Sequence, residues 1–263
     1  MKMLLQQRDG FDLRIYFPQG KLTKYVQGIW VANYDSNNIL LRHLKANASN
    51  SIVYCLSGSV LLGDEKRSAG VYLCPTASQA QKIAFYPNTR VVGICFQPGG
   101  MAQLSPLAQP NEITPAQSTE SEKHDTWDAL LHLSCYSQNP QALLTLLYRK
   151  LLPLCELAQG FDPVLIKALS RCKQPLLLQN VVRELPIGQR QLARLFKQSL
   201  GITAKQYQRI ARVNDTIDYL KKAPKCSLTQ LAYDFGYSDQ AHMTREFKYF
   251  THHTPSYYCQ EMA

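Results

Sequence analysis

Two stretches of this 263-residue chain carry nearly the same pattern. "LARLFKQSLGITAKQY" begins at Leu192 and "MTREFKYFTHHTPSYY" at Met243; they align Arg194 with Arg245, Phe196-Lys197 with Phe247-Lys248, Thr203 with Thr254 and Tyr207 with Tyr258. A pattern restated at a fixed offset constrains the fold more than any composition, because it calls for the same supersecondary unit twice.

The second copy shows what that unit is. In "LTQLAYDFGYSDQAHMTREFKYF", Leu228, Leu231 and Phe235 form a stripe on a first helix, and Gly236 permits a sharp turn. Ser238 or Asp239 then caps a second helix whose inner face is Met243, Phe247 and Phe250. This is a helix-turn-helix. At 100° per residue the face opposite Met243 carries Ala241, Arg245 and Lys248, flanked by His242 and Thr244, with Gln240 near the start. The first copy repeats the logic: "LLLQNVVREL" supports, "PIG" turns, and "QRQLARLFKQSL" turns Leu192, Leu195 and Phe196 inward. Its outward residues are Arg190, Gln191, Arg194 and Lys197. Arginine pairs bidentately with guanine and glutamine with adenine, so both outer faces suit the major groove.

Thr203 to Lys222 reads as one helix between the copies, about 30 Å long at 1.5 Å per residue. Successive major-groove faces on one side of B-DNA lie about 34 Å apart, so this spacer could hold both readers against a single duplex. "TAKQ" at 203–206 and "SLTQ" at 227–230 fit the capping box, predicting helix starts at Thr203 and Ser227.

Charge supports a polyanionic partner. The net charge is +10, and residues 163–263 hold 15 Lys+Arg against 7 Asp+Glu, or +8 of it. Arg209, Arg212, Lys221 and Lys222 on the connecting helix read equally as backbone contacts or as ordinary surface charge. No stretch approaches the roughly 18–20 apolar residues of a membrane span, and the start "MKMLLQQRDG" lacks a signal-peptide core, so a cytoplasmic protein with no membrane partner is expected.

From Leu13 to about Gln97 the pattern changes to short β-branched and aromatic runs between turn formers: "LRIYF", "YVQGIWV", "SIVYCLSGSVLLG", "AGVYLCP" and "RVVGICF". Such runs predict a β-rich sandwich or barrel. "FQPGGMAQLSPLAQPNEITPAQST" then reads as a connection. Trp127–Tyr136 and Ala142–Leu157 carry helical periodicity, the second with Asn139-Pro140 as cap and first turn. These two helices could close the first domain or pair with a second copy. Asp162-Pro163 caps the next helix, and the domain boundary falls near 160.

The C-terminal residues carry a resemblance. Gly236-Tyr237, Asp239-Gln240, Arg245-Glu246-Phe247-Lys248 and Thr254-Pro255-Ser256-Tyr257-Tyr258 resemble the pattern of the AraC/XylS family of bacterial transcription regulators, over about 163–263. The chain departs from that pattern at His252, where the family usually has a helix-ending glycine, at Pro186, at Ala204, and at Ala241 and Met243. "IYFPQGKLTKYVQGIWV" and "RVVGICFQPGGMAQL" look like the β-rich sensory domain of one branch of the family, which implies effector sensing, dimerisation, or both.

Metal and thiol chemistry find little footing. A metal site in the barrel would need converging histidines, and only His43 occurs before residue 120. His252 and His253 read as a helix-end position and a loop residue, and Gly99-Gly100 as a turn. Eight cysteines form no C-x-x-C pair, and Cys55, Cys74 and Cys95 sit in apolar runs as small hydrophobes.

The expected fold is therefore α+β multidomain. A cupin-like β-rich barrel or sandwich (1–110) is followed by a linker and helical connector (111–160), then an all-α domain with two helix-turn-helix motifs (161–263). The expected function is promoter DNA binding through Arg190, Gln191, Arg194, Lys197, Gln240, His242, Thr244, Arg245 and Lys248. A catalytic centre, cofactor or metal is not expected. Partners are double-stranded promoter DNA, a small-molecule effector of unread identity, a second copy of the chain, and RNA polymerase if the protein activates. Two rivals remain: a ligand-independent scaffold in the N-terminal half, and a DNA-targeted thiol sensor.

Overall fold

A computed structural model describes residues 2–104, 114–115, 139–158 and 160–260. The chain divides into two units: Met1–Arg42 with Ser49–Thr76 and Lys82–Gly160, and His43–Ala48 with Ala77–Gln81 and Phe161–Ala263.

The first unit opens with a hairpin of β1 (Lys2–Arg8) and β2 (Phe11–Phe17), paired in register from Lys2 with Phe17 to Arg8 with Phe11. Asp9 and Gly10 both adopt positive φ, 46° and 79°, as a two-residue turn matched to strand twist requires. A short 3-10 helix (Gly20–Lys24) leads to β3 (Val26–Tyr34), β4 (Leu40–Leu44), β5 (Ser51–Ser57), β6 (Val60–Leu62) and β7 (Glu65–Arg67). Then come β8 (Gly70–Cys74), β9 (Gln81–Phe85), β10 (Thr89–Phe96), helix α1 (Gly100–Leu104) and the two-residue β11 (Thr114–Pro115). Two sheets result, in the orders β1-β2-β3-β10-β5-β8-β11 and β4-β9-β6-β7. Both have free edges among the described residues, so the barrel-or-sandwich alternative resolves as two open sheets.

Alternation explains the packing. Ala32, Tyr34, Val53, Cys55, Tyr72, Cys74 and Val91 of the large sheet share one buried core with Val60, Leu62, Ile83 and Phe85 of the small sheet. Residues of the other parity, Val31, Tyr54, Val92 and Ile94, are equally buried. On β3 and β10 packs helix α2 (Pro140–Leu157), capped by the Asn139 side chain, which accepts from the Gln141 and Ala142 amides. The leucines expected to face inward, Leu143, Leu144, Leu147 and Leu151, are buried. The helix expected over Trp127–Tyr136 lies outside the described residues. The Pro/Gly-rich connection holds α1 and β11, which turn formers alone did not announce.

The second unit holds seven helices among its described residues: α3 (Pro163–Cys172), α4 (Leu178–Arg183), α5 (Gln189–Leu200), α6 (Ala204–Lys222), α7 (Leu228–Asp234), α8 (Gln240–Thr251) and α9 (Pro255–Gln260). Asp162 caps α3 by accepting from the Val164 amide. At α6 the capping box is complete: Thr203 Oγ1 accepts from Gln206 N, and Gln206 Oε1 accepts from Thr203 N. At α7 it is half made, because Gln230 turns its amide to Asp234 Oδ1 instead. One core joins these helices, built from Leu165, Leu192, Phe196, Tyr207, Ile217, Leu231, Phe247 and Phe250 among others.

Candidate nucleic-acid interface

Each helix pair is built from an apolar stripe that fixes it and a polar face left over. In the first pair, α4 and α5, Val181, Leu192, Phe196 and Leu200 are buried, whereas Arg190, Gln191, Arg194 and Lys197 are exposed. Two of those four are tied to the helix ends. Gln191 Oε1 accepts from the Gly188 amide at 3.1 Å, and Lys197 Nζ donates to the Gly201 carbonyl at 2.9 Å. Arg190 and Arg194 stand on the exposed face with no ion pair among the described residues.

In the second pair, α7 and α8, the chain reverses at Gly236, whose φ of +72° lies in the left-handed region that glycine tolerates best. Asp239 is the cap, accepting from the His242 amide at 2.6 Å, and that bond is the main reason its carboxyl titrates below the ordinary carboxylate range. Met243, Phe247 and Phe250 are buried, with Arg245 and Lys248 exposed on the other side. The remaining expected contacts are engaged within the unit. Gln240 Oε1 accepts from Thr229 Oγ1 at 2.9 Å, and Thr244 Oγ1 donates to the Gln240 carbonyl at 2.9 Å.

His242 does not stand free on the outer face. Its Nδ1 accepts from the Ser238 amide at 3.3 Å, which leaves Nε2 to carry the proton, 3.4 Å from Glu246 Oε1. Its ring also meets Tyr237 edge-on, with centroids 5.6 Å apart.

Glu246 is the residue that the sequence reading passed over. Its side chain is only 5% exposed, and its two oxygens accept from Arg209 Nε at 2.7 Å and Arg212 Nη2 at 2.9 Å. Arg212 also donates from Nη1 to the Gly236 carbonyl at 2.7 Å, and its guanidinium lies over the Tyr237 ring, 4.4 Å from the centroid. Two arginines read as surface or backbone-contacting charge therefore tie α6 to α8. They border a cleft of about 1030 Å³ whose lining includes Lys173, Lys205, Gln208 and Arg245.

A family model described as a helix-turn-helix domain matches residues 181–261, a span that takes in α5 to α9. The transposon Tn10 TetD protein of Escherichia coli is 33% identical over 85 residues, which is 32% of this chain and 61% of TetD. This chain thus spans about three-fifths of the length of that relative. Among solved structures, ToxT from Vibrio cholerae covers 96% of this chain and 98% of its own, at 13% identity and a TM-score of 0.47. A second ToxT structure, with an unsaturated fatty acid bound, covers 85% and 96% at 14% identity and a TM-score of 0.43.

The ends of the two outer helices differ in one residue type. His252, standing where a glycine is usual, ends α8 at φ 63°, so a residue with a Cβ is held in the left-handed region. Gly201 does the same work at the end of α5 with φ 74°. In the β-rich unit, burial pushes the Cys55 thiol up to about 11, Cys74 to about 12 and Cys95 to about 11, so these three thiols are held away from the reactive thiolate form.

Proposed function

We propose that this protein binds double-stranded promoter DNA through α5 and α8 and regulates transcription, with the β-rich unit acting as its sensory or dimerisation half. One observation carries the reading: two helices of like sequence each place cations opposite a buried stripe, and a single helix joins them. That helix, α6, has 19 residues and runs about 28 Å, close to the roughly 34 Å between successive major-groove faces.

The nine expected contact residues do not rank equally in this reading. Arg190, Arg194, Arg245 and Lys248 are exposed cations without a hydrogen bond or close ion pair among the described residues, and are the proposed primary contacts. Gln191 and Lys197 reach DNA only by giving up their helix-end bonds, and Gln240 and Thr244 by giving up bonds within the second motif. His242, turned to Glu246, is proposed to support the motif instead of reading a base.

The test is selection of duplexes from a random library by the full chain, with the Arg194→Ala/Arg245→Ala double variant alongside. The expected product is a motif of two short blocks about one helical turn apart, lost in the variant. Enrichment of no motif by the wild-type chain, or of the same motif by the variant, would overturn the reading.

A further inference from the structure

The Glu246 cluster joins three parts of the fold at one carboxylate. Glu246 lies on α8, Arg209 and Arg212 lie one turn apart on α6, and Arg212 carries the contact on to the Gly236 carbonyl in the turn between α7 and α8. Each acceptor oxygen meets a different arginine, so the carboxylate fixes both the distance between the helices and the rotation of α8 about its own axis. A charge-assisted pair is directional where an apolar contact is not. The apolar stripe of Met243, Phe247 and Phe250 buries α8 but tolerates small rotations; the two-oxygen contact does not.

The cluster is also an electrostatic statement. Arg209 and Arg212 retain 34% and 21% of their side-chain exposure, next to a cleft that Lys173, Lys205 and Arg245 also line. Without Glu246, two more cations would face the solvent beside a proposed DNA-binding helix. Arg212 Nε is buried without a partner among the described residues. A buried donor left unpaired costs stability; the arrangement is therefore better matched to geometry than to stability.

We infer that Glu246 is a positioning residue for the second recognition helix: it sets the rotation of α8 on α6 and holds Arg209 and Arg212 back from nucleic acid. The inference rests on the DNA-binding reading above. It makes base discrimination by α8 depend on a residue that touches no base, and it makes the two halves of the binding site respond differently to one substitution.

The test uses the full chain carrying Glu246→Gln, with Arg212→Lys as a second variant that keeps the charge but removes the forked contact. Duplexes selected by the wild-type chain are then mutated block by block, and affinity is titrated at several salt concentrations. Discrimination within the block under α8 is expected to fall about tenfold in both variants, with the block under α5 unchanged. For Glu246→Gln, binding to scrambled duplex is expected to tighten, and its log–log salt slope to steepen by about 1 to 2 as the freed arginines meet phosphates. A merely structural role would weaken both blocks together and would not steepen that slope. Hydrogen exchange decides independently of DNA: amides of 236–242 should exchange faster in the variants, with those of α5 unchanged. Wild-type exchange across 236–242, or undiminished discrimination under α8 in a folded variant, overturns the inference. Failure of the wild-type chain to select any motif overturns the DNA-binding reading instead, and the exchange result still reports on the clamp.

Discussion

Replacing Arg245 by alanine should separate binding from stability on a single helix. Arg245 stands two residues from both Met243 and Phe247, a rotation of about 200° from each, and is exposed where they are fully buried. Losing it removes no core contact, so unfolding should stay within about 0.5 kcal/mol of wild type. If the guanidinium reads a base, affinity for the selected duplex should drop by about 1–3 kcal/mol, or roughly 5- to 150-fold, with discrimination lost at one position and the salt slope unchanged. If it meets a phosphate, the loss should be uniform across sequences and the slope should shrink by about 0.9. Phe247→Ala is the matching control. Its ring is buried and meets Tyr258 edge-on at 6.0 Å, so the truncation should cost about 3–5 kcal/mol and lower binding only through unfolding. Fluorescence anisotropy at three salt concentrations, beside urea melts, measures both quantities. An Arg245→Ala chain that melts early yet binds normally would refute the assignment of faces on α8, and with it the choice of α8 as the second reader.

Three further outcomes follow from local geometry. Gly236→Ala should lower stability by about 1–2 kcal/mol in urea melts, because the residue holds φ +72° and its new Cβ would lie 3.2 Å from Pro175 Cβ. His252→Gly should raise stability by about 0.5–1 kcal/mol, since φ 63° is strained for any residue with a Cβ; an unchanged or lower midpoint would mean that the histidine ring contacts outweigh the strain. Burial lifts the Cys55, Cys74 and Cys172 thiols from 9.0 to about 11, 12 and 12, so between those values the folded chain keeps protons that the unfolded chain releases. Stability should thus be full below pH 9 and fall as pH rises through 11 to 12, and a Cys74→Ala/Cys172→Ala chain, weaker at pH 7, should lose less over that range.

Where the sequence was legible, the deciding chemistry was local. Thr203, Asp162 and Asn139 cap helices because each side chain reaches an amide two or three residues on, a distance that sequence spacing fixes. The helix pairs were legible because the buried stripe recurs in both copies, although the turn glycine stands only in the second, at Gly236. The first strand was harder to read. Met3, Leu4 and Leu5 are all exposed on β1, so no alternation marks it, and the β-rich pattern becomes readable only from Leu13. Whether the β-rich runs made a barrel or a sandwich depended on pairings between distant strands, such as β10 with both β3 and β5, which no local pattern specifies.

The Glu246 cluster was hidden for a different reason. Its partners are 37 and 34 residues away, and arginines on an exposed-looking helix face are usually solvated. A signal was nevertheless present. On a helix of 100° per residue, Glu246 sits about 60° from Met243 and about 40° beyond Phe250, at the border of the arc that the apolar residues mark as buried. An acid in that arc has to be paired, since an isolated buried carboxylate is too costly to keep. His242, four residues earlier and one turn below it, lies about 40° further round on the same side, within reach of the carboxylate, which is why it joins the cluster. An acidic residue on the buried side of a recognition helix is thus itself evidence that cations on the neighbouring helix are committed to the fold. The residues free to meet DNA are found by subtracting those pairs from the total charge.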